Sequence, residues 1–252
     1  MKKVLFTLAI VAVTLISCST DDSTNSTPPA GATGTLLKQI VETYEDGSIS
    51  TLDYEYSGNK ITKLTVVSDF GNGTETEVTN YTYTGEFLTK TEDYTDGILD
   101  YTIDLEYDAN DKLITETTIF PGQTPEVNTY VHNADGTVTF NEAGGSIVVY
   151  TYDNGDLITE DNTNGNQDYT IVYDNKNGAL KNIHQREVFE LMGYYAYNHN
   201  FLSYTNTGGA SYNENETYSY TYNTDDYPIT AINTVDPGTA DEEIITSTYT
   251  YY

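Results

Sequence analysis

Tryptophan is absent from the 252 residues, cysteine occurs once, and histidine three times. A single cysteine, Cys18, excludes an intramolecular disulfide. Nucleophilic catalysis needs a base beside Ser, Thr or Cys, and only His132, His184 and His199 offer an imidazole. The spacing of His184 and His199 matches no zinc pattern, and His132 stands where a repeat elsewhere carries tyrosine, so it reads as a strand-face residue. Basic residues are scarce as well: 10 Lys and Arg against 39 Asp and Glu give a net charge of −29. Such a surface repels phosphate backbones and anionic lipid headgroups, which excludes nucleic-acid binding and electrostatic docking to a membrane. No Gly-rich phosphate loop is present, so nucleotide binding has no support. With so many carboxylates, no catalytic pair for glycoside hydrolysis can be singled out.

What the chain has instead is tyrosine, 25 residues of it. The hydrophobic share is 37%, but aromatic and β-branched residues are regularly spaced, which argues against disorder. A thin core follows, with rings buried and hydroxyls reaching its edge. The phrase Tyr150-Thr-Tyr152-Asp153-Asn154-Gly155-Asp156-Leu157 is hairpin grammar: alternating tyrosines, a polar turn, then an apolar exit. Variants recur from Leu36 onward, with the second marked position at Tyr56, Tyr83, Tyr107, His132, Tyr152, Tyr173, Tyr222 and Tyr251. A period of this size signals a repeat architecture whose units need neighbours to bury a face.

Within strands the apolar positions alternate: Tyr101, Ile103, Leu105 and Tyr107 share one face, and Thr102, Asp104 and Glu106 the other. About sixteen strands at ~4.8 Å each would span over ~70 Å with one apolar face bare, so the sheet has to roll up. The expected fold is all-β, a long curled antiparallel sheet of repeated hairpins. One segment, residues 184–205, breaks the alternation, and Val188, Leu191, Met192 and Tyr195 fall at helical spacing. It predicts a short helix over Arg186–Tyr195, or an ordered loop, on the apolar side of the sheet, with Gly193 weakening the helix. Tyr194, Tyr195 and Tyr197, beside Asn198 and Asn200, are candidate ligand contacts, because flat rings with amide neighbours suit sugars or peptides.

The first residues say where the chain goes. Lys2-Lys3 and the apolar run Val4 to Ile16 read as a secretion signal over residues 1–17. As helix that run spans ~20 Å, short of the ~30 Å hydrocarbon core. Leu15-Ile16-Ser17-Cys18 resembles a bacterial lipobox, which implies a diacylglycerol on the Cys18 thiol and an outer-membrane lipid anchor. Asp21-Asp22 resembles the surface-export signal of Bacteroidetes-type lipoproteins, and residues 18–34 read as the lipidated cysteine and its flexible tether. A single repeat domain, 35–252, follows.

Tyr150-Thr-Tyr152-Asp153-Asn154-Gly155-Asp156-Leu157 also resembles the YD repeat of RHS-type proteins, with Tyr107-Asp108, Tyr152-Asp153 and Tyr173-Asp174 carrying the pair itself. The repeat's arginine is missing. The layout is similar to uncharacterised Bacteroidetes surface lipoproteins with YD-like repeats, a resemblance that brings no active site. No cofactor is expected. Asp108-Ala-Asn110-Asp111, Asp153-Asn154-Gly155-Asp156 and Asn223-Thr-Asp225-Asp226 have oxygens that suit Ca²⁺ but lack its full loop, so they read first as turns. The leading expectation is a lipid-anchored, surface-exposed, non-catalytic binding protein for an extracellular glycan or protein. The rival is a structural or accessory envelope lipoprotein that partners an outer-membrane complex.

Overall fold

The structure, a computed structural model, describes residues 27–163, 168–208 and 215–252. Among them sixteen strands follow in order: β1 (Leu37–Thr43), β2 (Ile49–Ser57), β3 (Lys60–Asp69), β4 (Thr74–Thr84), β5 (Phe87–Thr95), β6 (Ile98–Tyr107), β7 (Leu113–Ile119) and β8 (Glu126–His132). The second half comprises β9 (Val138–Asn141), β10 (Ile147–Asp153), β11 (Asp156–Asn162), β12 (Tyr169–Tyr173), β13 (Phe201–Asn206), β14 (Glu216–Tyr222), β15 (Pro228–Val235) and β16 (Glu243–Tyr251). Each strand pairs antiparallel with the next, and β16 returns to β1. The sheet is therefore a closed barrel, which corrects the long curled repeat sheet that the hairpins led us to expect. Closure pairs both edges and encloses the apolar face in one step. The repeats hide it because β1 carries no Tyr-x-Tyr phrase, yet sets Leu37 and Ile40 opposite Tyr251 and Tyr249.

The second tyrosine of each phrase marks a structural event. The ladder shifts register at Tyr56, Tyr83, Tyr107, Tyr152, Tyr173 and Tyr222. Each time the extra residue lies on the partner strand, as with Ile114 of β7 or Ile158 of β11. Such a bulge reverses the in–out alternation. Leu113 and Glu116 both turn inward, opposite Tyr107 and Leu105, and Leu157 and Glu160 do the same opposite Tyr152 and Tyr150.

Main-chain carbonyls at the bulges find side-chain donors. The hydroxyl of Tyr107 donates to the Leu88 carbonyl (2.7 Å), that of Tyr173 to Leu157 (2.8 Å) and that of Tyr251 to Pro228 (2.8 Å). His132, standing in a tyrosine's place, meets the Leu113 carbonyl at 2.8 Å through Nε2, which must carry the proton because a carbonyl only accepts.

Residues 174–200 replace the tight turn between β12 and β13 and fill that end of the barrel as a floor. The break in the repeats thus starts earlier than residue 184 and ends before 205, since Phe201–Asn206 is β13. Its helix α1 (Arg186–Leu191) is shorter than the predicted Arg186–Tyr195. Gly193, at φ +83°, carries the chain out of it. Phe189 is fully buried, its ring 5.4 Å from Tyr81 and 5.7 Å from Tyr194. The floor is tied to turns around the rim: Asn59 Nδ2 donates to the Asn182 carbonyl (2.6 Å), the Leu88 N–H to Gln185 Oε1 (2.6 Å), and Asn198 Nδ2 to the Gly155 carbonyl (2.9 Å). Gly178 lies so close under Tyr197 that a Cβ there would meet its carbonyl oxygen at 2.2 Å. Cys18, Asp21 and Asp22 lie outside the described residues.

Candidate functional site

Above the floor the lumen holds two adjoining chambers of about 350 Å³ each. The first is walled by Tyr150, Tyr152, Tyr169, Tyr204 and Ile171 from β10, β12 and β13, with Glu160, Glu190 and Glu216 among them. The second is walled by Tyr54, Tyr218, Tyr220 and Tyr249, with Glu42, Asn233 and Ser247. Tyr195, Tyr197 and Phe201 border both. Tyr195 is 66% exposed although it rises from the floor, so the chambers are wet rather than sealed.

Inward carboxylates are held by tyrosine hydroxyls. Tyr130 donates to Glu116 (2.9 Å), Tyr204 to Glu160 (3.3 Å), Tyr44 to Glu42 (3.2 Å), and Tyr218 to Glu216. Burial pushes Glu42 and Glu160 above the ordinary carboxylate range, against the downward pull of their tyrosine bonds. Glu190 is pushed up to about 7 by burial, although Arg186 Nη1, 2.8 Å away, pulls the other way. None of the eight Lys and Arg among the described residues lines either chamber. The amide of Asn233 donates to Glu216 (3.0 Å) and to the Tyr218 hydroxyl (2.8 Å), while its buried Oδ1 has no partner.

The three tyrosines singled out from the sequence all reach the lumen. Tyr194 lines the second chamber and packs edge-on against Tyr81, while Tyr195 and Tyr197 stand between the chambers. His184 and His199 do not converge. His184 Nε2 donates to the Glu86 carbonyl at the β4–β5 turn (2.6 Å), whereas His199 Nδ1 meets buried Asp156 beside the β10–β11 turn (2.6 Å). The acidic turns weighed for Ca²⁺ use their oxygens locally: Asp108 accepts the N–H groups of Asn110 and Lys112, and Asn223 those of Asp225 and Tyr227. Among the described residues no three His, Cys, Asp or Glu are grouped to hold a metal ion. The lumen glutamates escape a reading of the sequence, because strict alternation from Leu113 or Leu157 sends Glu116 and Glu160 outward. The recurrent Leu-Ile-Thr-Glu of β7 and β11, following a turn and a strand whose last tyrosine stands two residues after a Leu or Tyr, is the signal for the bulge that brings them in.

The outer wall has the opposite chemistry. Outward registers pair Glu55 with Lys63, Lys90 with Asp104, and Thr with Thr across much of the barrel, as in Thr151, Thr159, Thr170 and Thr205 along β10 to β13. A lipid-facing wall needs an apolar band ~25 Å tall between aromatic girdles. Exposed apolar side chains among the described residues, such as Val131, Val172, Leu202, Ile229 and Ile232, are interspersed with these polar pairs rather than gathered into such a band. Among the described residues no helix is long and apolar enough to cross a membrane either.

No family model matches the chain, and no curated protein does. Among solved structures, a porin-like protein from Bacteroides uniformis is similar, with a TM-score of 0.57 at 15% identity over 86% of this chain and 98% of that one. The likeness is one of fold. It supports the closed all-β barrel in place of a curled repeat sheet.

Proposed function

We propose that the protein is a non-catalytic binding protein of the outer envelope, held at the membrane by lipid on Cys18, with its barrel outside the bilayer facing the cell exterior and its lumen as the ligand site. The observation that carries this reading is the inversion of the barrel: charged and threonine-rich outside, tyrosine-lined inside, and floored at one end. Each chamber lies within the ~300–1,000 Å³ of small-molecule sites, which suits a short extracellular glycan better than a folded protein. Tyrosine faces stack on sugar rings, and fixed carboxylates accept their hydroxyls. Membership of the surface lipoproteins with YD-like repeats belongs to the same reading. A Cys18→Ser variant tests it. Released from its anchor, it should be soluble without detergent and keep whatever glycan-array binding the lipidated protein shows. A variant that still needs detergent would place the barrel in the bilayer and end the proposal, as would turnover of any bound glycan.

A further inference from the structure

The first chamber gathers three carboxylates and no base except Arg186, which reaches it only through Glu190. Glu160 and Glu216 have no ion pair with Lys, Arg or His among the described residues. A half-buried carboxylate that faces the lumen without a counter-charge favours a positive partner, and fixed tyrosine hydroxyls meet only part of that demand. The walls around it are tyrosine faces, whose electron-rich rings attract cations. Next to Glu216, Asn233 directs both amide protons into its own contacts and leaves Oδ1, in the wall of the second chamber, without a donor. Among the described residues no three carboxylates are grouped to hold a metal ion. A charge carried on a small organic skeleton meets the conditions of the first chamber, its unpaired glutamates and its tyrosine faces.

We propose that the chamber bounded by Glu160, Glu216 and the faces of Tyr150, Tyr169 and Tyr204 binds a small organic amine, such as an aminated sugar. Its ammonium N–H groups bond one of the two glutamates, within the field of the other, while its carbon skeleton lies on the rings. This inference rests on the lumen being the ligand site and adds the charge of the ligand. Burial, which pushes Glu160 upward, makes the same demand for a positive partner.

The test is calorimetric titration of the purified full-length lipidated protein in detergent at low salt, with glucosamine, N-acetylglucosamine and putrescine as probes. N-acetylation removes the charge of glucosamine and little of its shape. Glucosamine and putrescine should bind, and N-acetylglucosamine at least about tenfold more weakly, as expected for the loss of a charged hydrogen-bonded contact. Glu160→Gln and Glu216→Gln should each weaken amine binding by about tenfold or more while leaving far-ultraviolet circular dichroism unchanged. Equal binding of both sugars, abolished by Tyr204→Ala, would keep the lumen as the site and overturn the assignment of a cation. Binding of neither amine would overturn it too. Amine binding that survives both glutamine variants would move the site elsewhere and refute the chamber.

Discussion

At the floored end of the barrel the inward tyrosines direct their hydroxyls to main-chain carbonyls; nearer the far end, tyrosines of the same wall donate to glutamates. One residue type thus does two jobs, and the bulge separates them. At the bulge the ladder is interrupted, and a tyrosine, or His132, supplies the missing donor. One step further in, the shifted alternation turns a glutamate toward the lumen, and the nearest tyrosine fixes it. The floored end is built for stability. The chambers beyond it keep desolvated charge that stability alone does not call for.

The largest effect expected from that contrast comes from the floor. Phe189→Ala should lower unfolding free energy by about 3–5 kcal/mol, the usual range for a fully buried phenylalanine, because its ring joins the insert to Tyr81. Urea titration measures it, and a loss below about 1 kcal/mol would mean that the insert is not part of the core. The next effect is on pH. Glu190 rises to about 7 in the folded chain from an unfolded value near 4.5, so it binds its proton more tightly when folded. The resulting stability is fully present below the unfolded value and is lost as pH rises through about 7. The difference in stability between wild type and Glu190→Gln, followed from pH 4 to 8, should shift by on the order of 2–3 kcal/mol in favour of the variant. A flat difference would show that Arg186 holds Glu190 ionised throughout.

The hairpins were legible because they are local: a polar turn between alternating runs encodes its own register, and the Tyr-x-Tyr positions do line the lumen. Closure was not legible, because it depends on β1 meeting β16 from the other end of the chain, and β1 carries no repeat phrase. The floor was half legible. Val188 at helical spacing is buried as an amphipathic helix requires, but Gly178, Asn182 and Gln185 act through contacts with distant turns that no local pattern announces. The candidate site divided the same way. Tyr194, Tyr195 and Tyr197 stand out as a cluster in the sequence, whereas Glu160 and Glu216 are two carboxylates among 39 until register turns them inward.

A smaller effect isolates the tyrosine's first job. Tyr107→Phe keeps the ring against Phe87, 5.0 Å away, and strips the hydroxyl that donates to the Leu88 carbonyl and also meets the Gln185 side chain. It should cost about 1 kcal/mol, read by urea titration. Tyr83→Phe is its control, since that hydroxyl is buried without a partner, and should cost nothing or stabilise.

The smallest effect bears on the second job. Glu160→Gln keeps an acceptor for Tyr204 and removes a charge that burial disfavours. The raised Glu160 value means that its charged form weakens the fold as pH rises through the folded value, so the amide should leave stability at pH 8 unchanged or raise it by up to about 1 kcal/mol. Thermal unfolding at pH 8 measures it. A clear loss of stability would make Glu160 a structural member of the wall like Tyr107. No loss would mean that the fold does not need this charge, and what needs it must then be what the chamber holds.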